Sequence, residues 1–224
     1  MADPQFVHDT FSAIASRYVL ANHMLSLGAD VLWRSRAVQI ISEWHPSNLM
    51  DVATGTGDLA LDICRELPEI RVLGLDFCEP MLAIARRRGL TRTLQADAMH
   101  MPLENASFDA LTISFGLRNL PDYTAALIEF RRVLRPGGHL LVLDFSLPDG
   151  IARGPYRLYL HHILPHLAAC LTGNHSAYTY LGRSIEQFPR GRAMMNLMRQ
   201  AGFTTPTHLP LCGGIAAIYT AEVR

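Results

Sequence analysis

Between a short apolar run and the start of a helical pattern, the chain reads Asp51-Val-Ala-Thr-Gly-Thr-Gly-Asp58. Residues 48–53 have the composition of a buried strand, and apolar side chains recur at helical spacing from Gly57 to Leu67. Glycines in the turn let the backbone approach a ligand where a Cβ would clash. The N-terminus of the following helix offers unpaired N–H groups. This order of strand, glycine-rich turn and helix predicts a ligand-binding loop in an open α/β sheet.

The alternation of strand and helix continues on the C-terminal side of this loop. Strands are predicted at 71–77, 90–96, 108–115 and 139–145, helices at 79–88 and 122–134, and a helix-ending turn at Arg135-Pro-Gly-Gly138. The 108–115 run is almost wholly apolar, as expected of a strand that is buried on both faces. Such alternation is typical of a parallel, doubly wound sheet.

The C-terminal part of the chain departs from this alternation. A helix is predicted at 192–201, and two strands at 203–211 and 215–223 are separated only by Cys212-Gly-Gly214. Because so short a connection joins antiparallel strands, we expect the parallel sheet to be closed by a hairpin.

We expect one domain over the 224 residues, of which 49% are hydrophobic. It would comprise N-terminal helices (1–46), a cofactor-binding half (47–150), a helical insertion or lid (151–190), and a helix with the C-terminal hairpin (191–224). Residues 150–224 carry a net charge of +5, from seven arginines and two acids.

Composition excludes several function classes. All 20 basic residues are arginine, which excludes a Schiff-base lysine and a phosphate-loop lysine. The 20 acids balance them, so overall charge predicts no nucleic-acid partner. The four cysteines form no CxxC pair, and we expect neither a metal site nor a disulfide framework. Residues 1–10 lack the order of a signal peptide, which favours a cytoplasmic location.

The glycine loop alone permits two cofactors. Gly55, Gly57 and Ala60 fit the GxGxxA dinucleotide fingerprint, and Asp76 lies 21 residues after Gly55, as a ribose-binding acid would. A nicotinamide-dependent oxidoreductase is therefore one hypothesis. Asp51 argues against it, because an acid at this point would repel a pyrophosphate, whereas a cationic ligand would tolerate it.

Several phrases along the chain resemble the ubiquinone/menaquinone biosynthesis C-methyltransferase family. They are residues 11–32, 49–59, 112–119, 135–143 and 178–185. The resemblance implies a class I S-adenosylmethionine-dependent methyltransferase with a Rossmann-like sheet of seven strands in the order 3-2-1-4-5-7-6, in which the last strand is antiparallel. The family usually has Tyr-Asp where this chain has Tyr18-Val19, so we assign no role to an acid there.

The resemblance also implies the site. S-adenosylmethionine would be the cofactor, and its contacts would be Asp51, Gly55, Thr56, Gly57, Asp76, Asp97, Ala98 and Ser114. Asp76 would bind the ribose hydroxyls, Asp97 and Ala98 would border the adenine, and Ser114 would close the pocket. No metal is expected: the His161-His162 pair has no carboxylate at i+3 or i+4, and helix packing is its simpler explanation.

Arg118, Asn119 and Tyr18 are the candidate catalytic residues. Arg118 and Asn119 follow the fourth strand, where they could clamp an oxygen of the methyl acceptor. An arginine is a poor direct base, but it can hold a water or stabilise a developing phenolate.

The implied activity is C-methylation of an isoprenoid quinol ring in menaquinone or ubiquinone biosynthesis, with demethylmenaquinol favoured. A non-catalytic scaffold of a quinone-synthesis complex is the remaining alternative. A polyprenylated quinol would be the substrate, and the basic 151–199 region could bring the protein to the inner face of the membrane. The oligomeric state stays open, with a homodimer among the alternatives.

Overall fold

A computed structural model describes Ser26 and residues 28–164 and 175–224, with the backbone alone for 175–179. The predictions for Tyr18 and Val19 lie outside the described residues. So do most of the expected N-terminal helices and the middle of the 151–190 insertion.

Seven strands in this part of the chain form one sheet in the order β3-β2-β1-β4-β5-β7-β6. They are β1 (Asn48–Val52), β2 (Arg71–Asp76), β3 (Thr93–Gln95), β4 (Phe108–Ser114), β5 (Leu134–Phe145), β6 (Thr204–Leu211) and β7 (Ala216–Glu222). Strands β1 to β5 pair in parallel, and β7 lies antiparallel between β5 and β6. The predicted order and the reversed strand are confirmed.

Two strand boundaries were predicted wrongly. β3 begins at Thr93, because the N–H of Leu90 still closes the preceding helix by donating to the carbonyl of Ala85. β5 begins at Leu134 instead of His139. The expected turn at Arg135-Pro-Gly-Gly138 lies inside that strand as an irregularity, since the register with β4 shifts between Leu134 and His139 and Gly137 has a φ of 76°. The backbones of Gly137 and Gly138 bond to Val223 instead of to β4.

Helices cover both faces of the sheet. The described α-helices are α1 (Ala29–Trp44), α2 (Asp58–Glu66), α3 (Glu79–Arg87), α4 (Tyr123–Val133), α5 (Arg153–Leu158), α6 (His175–Gln187) and α7 (Arg192–Gln200). Helix α4 starts where the Asp122 carboxylate accepts the N–H groups of Thr124 and Ala125 at 2.9 and 3.0 Å, as an N-cap does. Among the helices described, none is long and apolar enough to cross a membrane.

The core consists of two layers, one on each face of the sheet. Successive residues of β1 divide between them: Leu49 packs with Trp33 of α1 and Ile63 of α2, and Met50 packs with Phe130 of α4. This division follows from the strand period of two. Because both faces are buried, the polar residues of the parallel strands concentrate at the strand ends.

Candidate active site

A cavity of about 360 Å³ lies at the carboxyl ends of β1, β2, β3 and β4. This is within the usual size range of ligand pockets. Seven of the eight expected cofactor residues line it: Asp51, Gly55, Thr56, Asp76, Asp97, Ala98 and Ser114. The sheet topology brings them together, because parallel strands end at the same edge.

Gly57 is the expected cofactor residue that does not line this cavity. It precedes α2 with φ of 84°, a conformation that favours glycine. A Cβ added there would lie 3.2 Å from the Cβ of Ala85 on α3. Gly57 therefore serves the turn and the packing of two helices. Gly55 is different: its φ is 55°, and an added Cβ would meet nothing within 4 Å, because the position faces the cavity.

Asp51 is a buried carboxylate at the cavity wall, with 1% of its surface exposed. It accepts hydrogen bonds from the hydroxyls of Thr54 at 2.7 Å and Thr112 at 2.6 Å. Burial raises the pKa of Asp51 to about 6, with smaller contributions from the charges of Asp76 and Asp58. A carboxylate that is costly to ionise in isolation gains most from a nearby positive charge.

Asp76 is held by the backbone at the end of β2. Its oxygens accept the N–H groups of Gly55 at 2.8 Å and Cys78 at 2.9 Å, and burial raises its pKa. A carboxylate has about four acceptor sites, so the fixed group can also accept from hydroxyls of a bound ligand. The hydrogen bond to Gly55 also fixes the glycine loop against β2.

Asp97 and Ala98 follow β3 and border the same cavity. The Asp97 carboxylate accepts the N–H of Met99 at 2.9 Å and lies 3.0 Å from Nδ1 of His100. Near them the wall is apolar, with Phe77 and Met81 among the lining residues. An apolar slot bordered by a carboxylate suits an adenine, whose faces are apolar and whose edge carries an amine.

The structure separates the two candidate residues that follow β4. Asn119 lines the cavity, and its Oδ1 accepts the hydroxyl of Tyr180 at 3.1 Å. Arg118 is absent from the described lining and is 5% exposed. Its Nη1 lies 2.6 Å from Oδ1 of Asp144 at the end of β5, and its guanidinium lies over the ring of Phe145, 5.2 Å from the centroid. The side chain of Phe145, which lines the cavity, therefore lies between Arg118 and the cavity.

Other polar residues singled out by the sequence have simpler environments. Nε2 of His161 lies 3.1 Å from Oε2 of Glu186, which also pairs with Arg157. In the parts of the chain that the structure describes, no group of three His, Cys, Asp or Glu residues could hold a metal ion.

Sequence reasoning missed two groups of lining residues. From α1 and the turn before it come Ser26, Asp30 and Arg34. The i,i+4 spacing of Asp30 and Arg34 is the signal that could have found an ion pair there. The aromatic pair Phe115 and Phe145 carries no comparable signal, because the two residues are far apart in the sequence.

The end of β4 is tightly packed against the end of β1. Ala53 and Phe115 both have positive φ, of 50° and 56°. A Cβ added to Gly116 would lie 2.6 Å from the Cβ of Ala53, closer than such atoms approach. Alanine at position 53 is thus tolerated because position 116 is glycine.

Gly116→Ala is expected to destabilise the protein by about 1–3 kcal/mol, because the added methyl group forces the two strand ends apart. Urea unfolding measures the effect. Gly154→Ala is the matched control: its Cβ meets nothing within 4 Å, and we expect a change within about 0.5 kcal/mol. Equal stabilities of the two variants would contradict the packing argument.

The sheet with its reversed β7, and a cavity lined by acids at the ends of β1, β2 and β3, define a class I S-adenosylmethionine-dependent methyltransferase. The donor set fits that cofactor, with buried carboxylates for cationic groups and hydroxyls and an apolar slot for the adenine. The chain belongs to the ubiE/COQ5 methyltransferase family, whose model matches residues 1–222. Membership makes it an enzyme of this class and replaces the hypotheses of a nicotinamide oxidoreductase and a scaffold.

Relatives of known name match almost the full chain. A demethylmenaquinone methyltransferase of Thermus thermophilus is 49% identical over 218 residues, covering 95% of this chain and 99% of that protein. One of Deinococcus radiodurans is 41% identical, with 98% and 93% covered. A ubiquinone/menaquinone biosynthesis C-methyltransferase of Syntrophotalea carbinolica is also 41% identical, with 94% and 91% covered.

Solved structures share the fold at low sequence identity. An S-adenosylmethionine-dependent methyltransferase of Thermotoga maritima superposes with a TM-score of 0.69 at 20% identity, covering 97% of this chain and 99% of that one. A phosphoethanolamine N-methyltransferase of Haemonchus contortus, in complex with S-adenosylmethionine, gives 0.62 at 13% identity, covering 84% and 52%.

Proposed function

We propose that this enzyme transfers the methyl group of S-adenosylmethionine to a ring carbon of demethylmenaquinol. Its similarity to demethylmenaquinone methyltransferases of two bacteria supports this acceptor. The structural observation that supports the proposal most directly is the apolar, aromatic lining at one end of the cavity. Beyond Ser114, the described lining includes Phe115, Leu120, Pro121 and Phe145, with the amide of Asn119 among them.

The aromatic side chains at this end suit a flat ring. The rings of Phe115 and Phe145 are 4.7 Å apart, and Trp33 lies behind both, at 6.1 and 5.9 Å. Aromatic rings prefer such tilted and edge-on neighbours. A bicyclic quinol would exchange water contact for contact with these faces, next to the residues that hold the cofactor.

The polar groups beside the aromatic wall are placed to act on a quinol oxygen. Tyr180 fixes the Asn119 amide through its Oδ1, and Nδ2 of Asn119 lies 3.4 Å from the carbonyl of Phe115. The amide nitrogen has two hydrogens, so it can also donate to a quinol oxygen. The positive charge of Arg118 behind the wall favours the phenolate that forms as the quinol loses its proton.

Bound S-adenosylmethionine supplies the methyl group on a sulfonium, and the chain's own contribution is then to position and polarise the acceptor. A ring carbon becomes a nucleophile when the adjacent phenol is ionised. Asn119 and Arg118 serve that ionisation, and the aromatic wall sets the ring's orientation. Tyr18 stays a predicted third participant outside the described residues.

Methyl transfer from isotope-labelled S-adenosylmethionine to two reduced short-tailed acceptors tests the proposal. One acceptor is a demethylmenaquinol, a naphthoquinol, and the other is a methoxybenzoquinol of the ubiquinone series. Mass spectrometry should show the label on the naphthoquinol ring. Transfer to the benzoquinol alone would correct the acceptor, and transfer to neither would refute quinol methylation.

We also propose that the segment Gly150–Ile163 touches an anionic membrane surface, where a polyprenylated substrate resides. Ile151 is 98% exposed, Leu158 58% and Ile163 46%, so three of the six exposed large apolar side chains among the described residues lie in this one segment. Exposed Arg153 lies among them, in the part of the chain with a net charge of +5. Apolar side chains next to arginines are typical of segments that lie in a membrane interface.

The double change Ile151→Ser with Leu158→Ser is expected to weaken binding to vesicles with anionic lipid about tenfold or more, because two apolar anchors are lost. Co-sedimentation measures it. Ile128→Ser on α4, where the isoleucine is 53% exposed, is the matched control and should bind like wild type. Equal binding by all three proteins would contradict this membrane contact.

A further inference from the structure

We propose that Arg34 binds the carboxylate of the cofactor's amino-acid end and thereby selects S-adenosylmethionine over analogues that lack this group. The inference rests on the enzyme's use of that cofactor. Arg34 lies in α1, outside the glycine loop and the strand ends, and its side chain is 11% exposed at the cavity wall.

Two carboxylates hold the guanidinium of Arg34 in place. Its Nη1 donates to Asp30, one helical turn earlier, at 2.6 Å, and its Nε donates to Asp62 of α2 at 2.7 Å. The hydroxyl of Ser26 donates to the other oxygen of Asp30 at 2.6 Å. A guanidinium has five N–H donors, and these bonds use two of them. The fixed fork can therefore present further donors to an acceptor in the cavity.

The charges around the cavity point to the same pairing. Five aspartates line it, at positions 30, 51, 58, 76 and 97, and Arg34 is the one arginine in the described lining. S-adenosylmethionine carries two cationic groups and one carboxylate. The ligand's single anion is best placed at Arg34, because every other charged residue in the described lining would repel it.

The sheet order places the amino-acid end near α1. If adenine lies beyond β3 and ribose beyond β2, the rest of the ligand extends past the glycine loop, beyond β1. In the described lining, the residues contributed from before β1 are Ser26, Asp30 and Arg34. A bidentate contact between guanidinium and carboxylate would form there. The adjacent ligand ammonium would then lie next to Asp30, so the Asp30–Arg34 pair matches the ligand's own pair of charges.

A purely structural role of Arg34 makes a different prediction. The ion pairs to Asp30 and Asp62 join α1 to α2, and their loss would weaken binding of every ligand by a similar factor. A carboxylate contact instead makes the wild-type protein prefer the ligand that has the carboxylate. Loss of Arg34 would then remove this preference. Decarboxylated S-adenosylmethionine keeps the adenosine, the sulfonium and the amine, and therefore separates the two roles.

Titration calorimetry with both ligands on wild type and Arg34→Gln tests the proposal. Wild type should bind decarboxylated S-adenosylmethionine about tenfold or more weakly, the value of one charge-assisted pair. Arg34→Gln should bind both ligands with similar affinity. Asp62→Asn, which breaks an ion pair at a residue outside the cavity lining, should keep the wild-type preference.

An unchanged preference in Arg34→Gln would overturn the proposal, and so would the absence of any preference in wild type. The wild-type comparison needs no variant, so the proposal can still fail if Arg34→Gln does not fold. A wild-type protein that bound neither ligand would contradict the cofactor assignment itself. That outcome differs from a failure of the Arg34 proposal, in which wild type binds S-adenosylmethionine but shows no preference for it.

Discussion

Replacing Arg118 by methionine is expected to lower kcat about 100-fold or more, while the affinity for S-adenosylmethionine stays within about twofold of wild type. The guanidinium of Arg118 lies over the Phe145 ring at the aromatic end of the cavity, and Arg118 is absent from the described lining that includes the proposed cofactor residues. We therefore propose that its positive charge acts on the methyl acceptor and not on the cofactor. Single-turnover methylation of a short-tailed quinol, paired with cofactor binding by calorimetry, measures both effects.

The same replacement has a second, structural effect. Arg118 and Asp144 form a buried pair at 2.6 Å, with side-chain exposures of 4% and 0%. Removing one partner of such a pair costs about 3–5 kcal/mol, because it leaves an uncompensated buried charge. The loss of activity must therefore be separated from a loss of folded protein.

The double variant Arg118→Met with Asp144→Asn provides that separation. Both charges are then absent, so urea unfolding should show most of the lost stability restored. The rate should stay low, because the charge near the acceptor is still missing. Recovery of the rate together with stability would show that Arg118 is only structural. A higher pH should partly rescue the single variant, since solvent hydroxide then ionises the phenol.

The site residues that could be predicted from the sequence are those whose positions follow from the sheet topology. Once the strand–helix alternation is read, the residues at the carboxyl ends of β1, β2, β3 and β4 must meet at one edge of the sheet, and Asp51, Asp76 and Asp97 line the cavity there. The helix start at Asp122 was equally predictable, because capping is a local interaction. These elements depend on residues close in the sequence or on a repeating pattern.

Residues missed by the sequence depend on contacts that no local pattern encodes. Arg34 reaches the cavity because α1 packs beside α2, and Phe145 does so because β5 lies next to β4. The early start of β5 depends on pairing with Val223, far along the chain. Arg118 and Asn119 lie in a short 3₁₀ turn, Leu117–Asn119, and their residue types do not reveal that Asn119 is the one of the two in the described cavity lining.

S-adenosylmethionine affinity is expected to fall about tenfold between pH 7 and pH 5, because Asp51 is largely protonated at the lower pH. Burial raises the pKa of Asp51 from 3.8 to about 6. A cationic ligand prefers the ionised form, so binding below about pH 6 should release a proton. Calorimetry near pH 6, in buffers of different ionisation enthalpy, measures that release.

The stability of the free protein should respond to Asp51 with the opposite sign. Between pH 3.8 and about 6, the folded state binds more protons at Asp51 than the unfolded state does, so this group's contribution to stability rises as the pH falls. A shift of this size corresponds to about 3 kcal/mol. Groups with a lowered pKa, such as Asp109 and Glu129, act in the other direction, so wild type must be compared with Asp51→Asn.

Asp51→Asn should therefore bind the cofactor about tenfold more weakly at pH 7, with little further loss at pH 5 and with less proton release. Asp76→Asn is the matched control, because Asp76 is also buried at the cavity wall, with a raised pKa, but is expected to meet neutral ribose hydroxyls. It should lose affinity and keep most of the pH dependence. If Asp51→Asn instead kept the wild-type proton release and Asp76→Asn lost it, the titrating group would be Asp76, and the cationic part of the cofactor would lie beyond β2.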